Sequence, residues 1–340
     1  DVFVCNNCGN ELTYFDNGID WKNHTTLKQF SCPKCDNILN KRSLEHLFEQ
    51  SYDKFLDKNV SLAKQVPIKI NYVYKNKRYN KEIDSFDLNL IEKISRLIEY
   101  NNFPIDELPN GYNTKQPKES HGITHVHQFY TIRNLFIASE FWRRLDWNNR
   151  WILTSFISRN ATKLNRFVIN KYNPNGRING PLSATLYVPS LSVEQSIFIL
   201  IEDKLRDIDW NTYGNIVEVS SASDLRINDE SIDYIFIDPP FGANIMYSEV
   251  NYIWESWIKV KTNNKEEAIQ NPTQDKDINS YKNLMIKGLK ECYRVLKSGK
   301  WITIEFSNTQ AAVWNVIQSV VQEAGFIISS VGVLDKKHGG

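Results

Sequence analysis

An apolar run that ends in an acid and two prolines constrains this chain more than any other feature. Residues 232–237 read Ile-Asp-Tyr-Ile-Phe-Ile and have strand character, and Asp238-Pro239-Pro240-Phe241 follows them directly. Neither proline can donate a backbone N–H, and each holds φ at about −65°, so the strand has to end in a rigid corner. In an open α/β sheet this edge is where ligands bind. We therefore expect the Asp238 carboxylate and the Asp238 and Pro239 carbonyls to face a ligand as acceptors, beside the Phe241 ring.

Helix and strand patterns alternate around this corner, as they do in a doubly wound α/β sheet. This order predicts a Rossmann-like α/β region. The predicted elements are a strand at 216–219, a helix at 252–260, a polar mobile loop at 261–279, an amphipathic helix from Tyr281 that ends before Gly299, a buried strand at 301–306, a helix from Ala311 to Ala324 and a strand from Phe326 to Leu334.

The corner and the residues after it resemble a known family. Residues 241–249, Phe-Gly-Ala-Asn-Ile-Met-Tyr-Ser-Glu, continue the pattern of this family, as do the later residues 294–301, Arg-Val-Leu-Lys-Ser-Gly-Lys-Trp. Over most of its length the chain resembles the adenine-specific DNA methylases that carry a zinc ribbon, which occur in prokaryotic genomes and defence loci. A proline-rich strand terminator on an unrelated α/β protein is the alternative interpretation of the corner alone.

The resemblance implies a methyl transfer from S-adenosylmethionine to the exocyclic amine of an adenine flipped out of DNA. It makes Asp238, Pro239, Pro240 and Phe241 the catalytic residues. For the cofactor it carries over only Ser221 and Ala222. No Gly-x-Gly-x-x-Gly or Phe-x-Gly-x-Gly turn occurs in the chain, and the resemblance places that turn, with its first strands, upstream of Asp1.

Two cysteine pairs near the beginning of the chain predict a metal site. Cys5-x-x-Cys8 and Cys32-x-x-Cys35 are separated by 23 residues, a spacing slightly longer than is usual for zinc. Two such knuckles supply four thiolates for a tetrahedral Zn²⁺, and a closed site of this kind stabilises a fold instead of catalysing. Disulfides or free core cysteines are the alternatives. We predict an N-terminal zinc ribbon at 1–42 that contains a structural Zn²⁺.

The middle of the chain, 43–210, is predicted to be a mixed α/β insert and the candidate DNA-recognition region, ahead of the methyltransferase catalytic region at 211–340. Residues 66–81 predict a basic, aromatic hairpin. Its lysines could contact phosphate groups, or they could only keep a solvated edge soluble, and the sequence favours neither interpretation. His121, His125 and His127 have no supporting acid or thiol in sequence, so packing or phosphate contact is favoured over a metal. The other predicted elements are a helix from Ser43 to Asp57, a helix at 87–100, an irregular connection at 103–122, helical residues at 129–156 and a helix near 192–205.

Composition sets outer limits on the function. With 340 residues, of which 41% are hydrophobic, the chain can form two or three domains. A net charge of +1 gives no global attraction for polyanions, so DNA contact has to come from local patches. We expect no membrane partner, a cytoplasmic location and a piece of a longer protein.

The sequence therefore predicts a DNA (adenine) methyltransferase of restriction-modification or phage defence, with defence-system proteins as further partners. Three alternatives remain open. The same chemistry could act on the cytosine amine or on RNA, and the segment could be a zinc-ribbon nucleic-acid-binding module that is inactive without an upstream cofactor-binding part.

Overall fold

The computed structural model describes residues 1–99, 102–207, 214, 216 and 220–333, and they form a mixed α/β structure. The chain divides into two compact units. Unit 1 consists of Asp1–Trp210 together with Glu249–Lys261, and unit 2 consists of Asn211–Ser248 together with Thr262–Gly340. No helix among the described residues is long and apolar enough to cross a bilayer.

The strands, numbered in chain order, are β1 (Val2–Val4), β2 (Glu11–Thr13), β3 (Ile19–Asp20), β4 (Thr25–Thr26), β5 (Gln29–Ser31), β6 (Ile38–Asn40), β7 (Glu45–His46), β8 (Phe48–Asp53), β9 (Lys58–Ala63), β10 (Lys69–Tyr74), β11 (Lys77–Glu82), β12 (Arg166–Asn170), β13 (Asn173–Asn179), β14 (Ile232–Ile237) and β15 (Leu296–Ile304). The helices are α1 (Tyr14–Asn17), α2 (Ser85–Leu97), α3 (Tyr112–His121), α4 (Ile132–Arg144), α5 (Trp151–Ile157), α6 (Ile197–Arg206), α7 (Tyr247–Val250), α8 (Tyr252–Ile258), α9 (Ile278–Val295) and α10 (Ala311–Glu323).

Short antiparallel pairings build the beginning of unit 1. Strand β1 lies between β2 and β7, β3 pairs with β4, and β5 pairs with β6. Their buried side chains form a small core that also contains two of the cysteines. A core of this size buries little apolar surface, so folds of this kind depend on disulfides or a metal for stability.

The chain forms two strands where a helix from Ser43 to Asp57 is predicted, so that prediction is wrong. Strand β8 pairs antiparallel with β9 along its whole length. Between them, Asp53 Oδ1 accepts the backbone N–H groups of Phe55 at 3.0 Å and Leu56 at 3.3 Å. Such side-chain-to-backbone bonds favour a turn over a helix, and pairing with a later strand outweighs the local helical spacing.

The predicted basic hairpin is confirmed as β10 and β11. Lys75 and Asn76 occupy its two-residue turn with φ of 48° and 60°, which matches the right-handed twist of the strands. Across the pair, the rings of Tyr72 and Tyr79 stack with centroids 5.5 Å apart and planes 21° apart. Both tyrosines are exposed, so the stacked pair lies on an open face of the hairpin.

A helical core fills the rest of unit 1. Side chains of α4, α5, α6 and α8 make up about half of its buried apolar cluster, and these helices confirm helical structure within 129–156 and near 192–205. Inside the cluster, Tyr130 Oη donates to the Ile157 carbonyl at 2.6 Å and Trp257 Nε1 donates to Tyr130 Oη at 2.9 Å. The polar atoms of these large rings are therefore satisfied, as buried polar groups usually are.

Helix α3 lies within the stretch 103–122 that is predicted to be irregular. It contains Pro117, which removes one helical hydrogen bond, and it ends at Gly122, whose φ is 70°. At the start of the helix, buried Glu249 accepts the backbone N–H of Asn113 at 2.7 Å and its side-chain amide at 3.1 Å. A carboxylate at a helix N-terminus is stabilising, and it comes from a position 136 residues further along the chain.

Unit 2 is built around a parallel strand pair. Strands β14 and β15 pair in parallel, and one face packs against α9 and α10 through Ile237, Ile302 and Ile304. The opposite face is open, because Tyr234 is 55% exposed and Phe236 is 57% exposed. Parallel sheets are usually covered on both faces. The described residues thus form one helical layer on two strands, and a complete Rossmann-like sheet remains a prediction.

Several local expectations in unit 2 need correction. Helix α9 ends at Val295, four residues before Gly299. Residues 326–333, the described part of the strand predicted from Phe326 to Leu334, form no strand. The segment predicted to be a mobile loop, 261–279, contains the completely buried Ile269, and its mobility remains a prediction. The strand predicted at 216–219 lies largely outside the described residues.

Candidate active-site corner and metal centre

The Asp-Pro-Pro-Phe corner lies directly after β14, at the carboxyl end of the parallel pair. The Ile237 carbonyl, the last of the strand, accepts the backbone N–H of Glu305 at 2.9 Å. Since Pro239 has no N–H, the ladder cannot continue along the same edge. The chain therefore leaves the sheet at Asp238, whose side chain is exposed.

The carbonyls at the far side of the corner are held by the protein. Tyr281 Oη on α9 donates to the Pro240 carbonyl at 2.7 Å. Asn308 Nδ2 donates to the Phe241 carbonyl at 2.7 Å, and the backbone N–H of Gln270 donates to the Gly242 carbonyl at 3.2 Å. Three successive carbonyls are thus fixed from three different segments of unit 2.

The two preceding carbonyls are different. Among the described residues, no donor reaches the carbonyl of Asp238 or Pro239, and none reaches the Asp238 carboxylate. These oxygens lie on consecutive residues whose backbone is stiffened by proline. The corner therefore presents unpaired acceptors on one side while its other side is anchored, an arrangement that suits a ligand with more than one N–H donor.

Aromatic rings adjoin the corner. The Phe241 ring packs edge-on against Phe306 with centroids 5.2 Å apart, and Phe306 packs in the same way against Trp314. Burial raises the pKa of Tyr247, and the nearby charge of Asp238 raises it further. The Tyr247 hydroxyl is therefore protonated at neutral pH and lies within electrostatic range of the corner acid.

The predicted cofactor residues Ser221 and Ala222 lie in a turn that packs against α9. The same helix supports the corner through Tyr281. Ser221 Oγ lies 2.8 Å from Ser223 Oγ and accepts the Ser223 backbone N–H at 3.2 Å. The Ala222 carbonyl lies against Gly288 of α9, where an added Cβ would be 3.6 Å from it. Gly288 follows Tyr281 by seven residues, which is about two helical turns or about 10 Å along one face. Helix α9 therefore contacts both the turn and the corner.

The four cysteines of the ribbon lie together at the ends of its short strands. Cys5 Sγ is 3.8 Å from Cys35 Sγ, and Cys8 Sγ is 3.7 Å from Cys32 Sγ. With a Zn–S bond of about 2.3 Å, a regular tetrahedron has an S–S edge of about 3.8 Å. The four sulfurs therefore have the spacing of a closed zinc site, and none of them forms a disulfide.

The two knuckles have matching backbones that explain this arrangement. The backbone carbonyl of Cys5 accepts the N–H of Gly9, and the backbone carbonyl of Cys32 accepts the N–H of Asp36. Gly9 and Asp36 both take the left-handed conformation, with φ of 69° and 57°. Around the metal position, the amide of Asn7 donates to Cys35 Sγ at 3.5 Å. This bond, and then the backbone N–H of Asn37, lower the pKa of Cys35 to about 6, whereas burial and the other three cysteines raise the pKa of Cys8.

Sequence reasoning missed the residues that hold the corner. Tyr281 belongs to the apolar stripe of an amphipathic helix, so its spacing indicates a core residue and says nothing about its hydroxyl. Asn308 follows a strand in a polar turn and carries no pattern of its own. Only the proximity of the β14 and β15 ends, which parallel pairing requires, could have pointed to it.

Comparisons of the chain with protein-family models, with curated proteins and with solved structures found no match. The geometry of the corner and of the metal centre is therefore the basis on which a function can be proposed.

Proposed function

We propose that the chain is the catalytic part of an S-adenosylmethionine-dependent DNA methyltransferase that modifies the exocyclic amine of adenine. The observation that carries this proposal is the set of unpaired acceptors at the corner. The Asp238 carboxylate and the Pro239 carbonyl are free of protein donors among the described residues, whereas the next three carbonyls are held.

An exocyclic amine suits these acceptors. Its lone pair is delocalised into the purine ring, so the free amine is a poor nucleophile. Hydrogen bonds from its two N–H groups to Asp238 and to the Pro239 carbonyl would favour a tetrahedral nitrogen and localise the pair. A bound S-adenosylmethionine would supply an electrophilic methyl group. The amine that receives this group loses a proton, and Asp238 or water would accept it.

Positioning supplies much of the rate in such a site, and the anchoring of the corner serves it. Tyr281 and Asn308 fix the carbonyls that follow Pro239, so the free acceptors keep one orientation without a loop having to close. Phe241 offers a ring for stacking, worth about 1–3 kcal/mol per base. That gain would offset part of the few kcal/mol that flipping a base out of a duplex costs.

The residues that the resemblance assigns to S-adenosylmethionine, Ser221 and Ala222, account for only part of a cofactor site. The turn at Ser221 and Ala222 and the corner are both supported by α9, which is compatible with a ligand that reaches from one to the other. A glycine-rich turn is absent from the sequence, so Ser221 and Ala222 are the only residues that the proposal assigns to the cofactor. We accordingly assign 211–340 to catalysis.

Nucleic-acid contact is assigned to 1–42 and 43–210, the zinc ribbon and the insert. On the hairpin formed by β10 and β11, Lys75, Lys77 and Arg78 are exposed and form no ion pair with a described residue. With the stacked Tyr72 and Tyr79 they suit a phosphate backbone with unpaired bases. The same features favour a second candidate, a nucleic-acid-binding module without methyl transfer.

A cytosine amine or RNA remains an alternative substrate, and a cytoplasmic role in restriction-modification or phage defence remains part of the proposal.

The test is methyl transfer to DNA, measured with labelled S-adenosylmethionine and by mass spectrometry of the released nucleosides. Asp238→Ala is expected to abolish transfer while leaving the fold intact. Asp233→Ala is the matched control, because Asp233 lies on the strand that leads into Asp238 and accepts a hydrogen bond from Lys297 at 2.9 Å on the surface. Full activity of Asp238→Ala would remove the mechanism. Calorimetry with S-adenosylmethionine, with this segment and with a version extended upstream, separates an inactive module from an enzyme.

A further inference from the structure

A second group of potential metal ligands lies in unit 1, apart from the four cysteines. Asp1 Oδ2 is 3.0 Å from His46 Nε2 and 2.9 Å from His121 Nε2. The side chains of Asp1 and His121 are almost completely buried, and that of His46 is 14% exposed. Three segments that are far apart in sequence therefore direct one carboxylate oxygen and two imidazole nitrogens at a common point.

The protons of this group can be counted from the neighbours of His121. Ser120 Oγ is 2.7 Å from His121 Nδ1 and 2.5 Å from the Gln116 carbonyl oxygen. Two oxygens approach this closely only with a proton between them. The single hydroxyl proton of Ser120 is therefore donated in the hydrogen bond to the Gln116 carbonyl. Ser120 Oγ can then only accept from His121, which places a hydrogen on Nδ1.

This tautomer has a consequence at the other nitrogen. In a neutral His121 ring with hydrogen on Nδ1, Nε2 carries a lone pair. That lone pair faces the Asp1 carboxylate oxygen at 2.9 Å, and the contact is repulsive unless a cation lies between the two atoms. Either a second proton on the ring or a metal ion can supply the positive charge.

The surroundings match those of a metal ligand set. Ligand histidines usually donate their other ring N–H to a nearby acceptor, and ligand carboxylates are themselves hydrogen-bonded. Here Ser120 accepts from His121 Nδ1, and Gln65 Nε2 donates to the second Asp1 oxygen at 2.7 Å. With metal–ligand bonds of about 2.1 Å, adjacent ligands of an octahedron lie about 3.0 Å apart, which is the spacing observed between Asp1 Oδ2 and each Nε2.

We propose that Asp1, His46 and His121 form a second metal site, for a divalent transition-metal ion such as Zn²⁺ or Fe²⁺. Two histidines and one carboxylate are a common ligand set for these ions and leave further coordination positions open. Gln65, which bonds Asp1, also lines a cleft of about 460 Å³. Since His46 is in β7, which pairs with β1, and His121 ends α3, the ion would cross-link the first sheet of unit 1 to the helical core.

This site differs from the histidine trio noted in the sequence. His127 bonds Asp53 at 2.8 Å instead, so the trio does not share one ligand set. The proposal is also independent of methyl transfer, because its readout is metal content and needs no substrate.

The experiment measures bound Zn²⁺ per chain by mass spectrometry after the full chain is saturated with ZnCl₂ and desalted. Two ions per chain are expected for the wild type. One ion is expected for Asp1→Asn, which keeps the size and one acceptor oxygen of the side chain, and for His121→Gln. His24→Gln, which alters a histidine outside the group, is the matched control and should retain two.

One ion per chain in the wild type would overturn the proposal and leave a hydrogen-bonded pair with a protonated His121. Two ions retained in both Asp1→Asn and His121→Gln would overturn it as well. X-ray absorption at the zinc edge of the saturated wild type needs no folded variant. A shell of mixed sulfur and nitrogen or oxygen ligands is expected, and a sulfur-only shell would refute the site.

Discussion

Removal of one hydroxyl group tests whether α9 holds the Asp-Pro-Pro-Phe corner. The substitution is Tyr281→Phe, which keeps the completely buried ring and deletes the group that donates to the Pro240 carbonyl at 2.7 Å. The matched control is Tyr293→Phe on the same helix. Tyr293 is 52% exposed, and its hydroxyl forms no hydrogen bond with a described residue.

The expected loss can be estimated from the contact. A hydrogen bond contributes a net of about 0.5–1.5 kcal/mol, and leaving a buried partner unsatisfied costs about 1–3 kcal/mol. Because Pro240 is half-buried, water can partly replace the lost donor, so we expect unfolding to be easier by about 1–2 kcal/mol. Tyr293→Phe should change the free energy of unfolding by less than about 0.5 kcal/mol, as exposed substitutions usually do.

Urea denaturation followed by tryptophan fluorescence and circular dichroism measures both values. Methyl transfer provides a second readout, and it should fall more in Tyr281→Phe than the stability loss alone explains, because the corner loses its orientation. Equal free-energy changes in the two variants, or unchanged transfer in a destabilised Tyr281→Phe, would refute the anchoring role.

Three further predictions concern other parts of the chain. Phe241→Ala should weaken methyl transfer while duplex binding is kept, because stacking on the flipped base is lost; equal losses in both assays would contradict the stacking role. Removal of Zn²⁺ with a chelator, or Cys8→Ser, should unfold the ribbon, seen as proteolysis confined to the first forty residues; a protected ribbon would argue against structural zinc. Arg294, and then the Leu225 N–H, lower the pKa of Glu291 to about 2 from its ordinary 4.5. The stability this carboxylate provides is therefore present above pH 4.5 and is lost as the pH falls towards 2. Glu291→Gln should remove that part of the acid dependence in pH-dependent denaturation, and an unchanged profile would rule it out.

The spacing of residues close together in sequence was sufficient to predict the cysteine pairs, the strand before Asp238 and the hairpin. The two Cys-x-x-Cys pairs place thiolates one turn apart, and the structure brings all four sulfurs together. The strand before Asp238 and the hairpin at 66–81 followed from apolar runs and turn residues. The helix predicted from Ser43 to Asp57 failed because its spacing was helical while its partner strand lay outside the window.

The sequence alone determined the knuckles, the strand and its proline-stiffened end, because each depends on neighbouring residues. Tertiary structure alone decided which carbonyls of the corner are held and which stay free, since the donors Tyr281 and Asn308 lie 41 and 67 residues away from their acceptors. It likewise joined Asp1 to His46 and His121 and placed Glu249 at the start of α3. Contacts over such distances in the chain depend on how whole elements pack, and no local pattern records them.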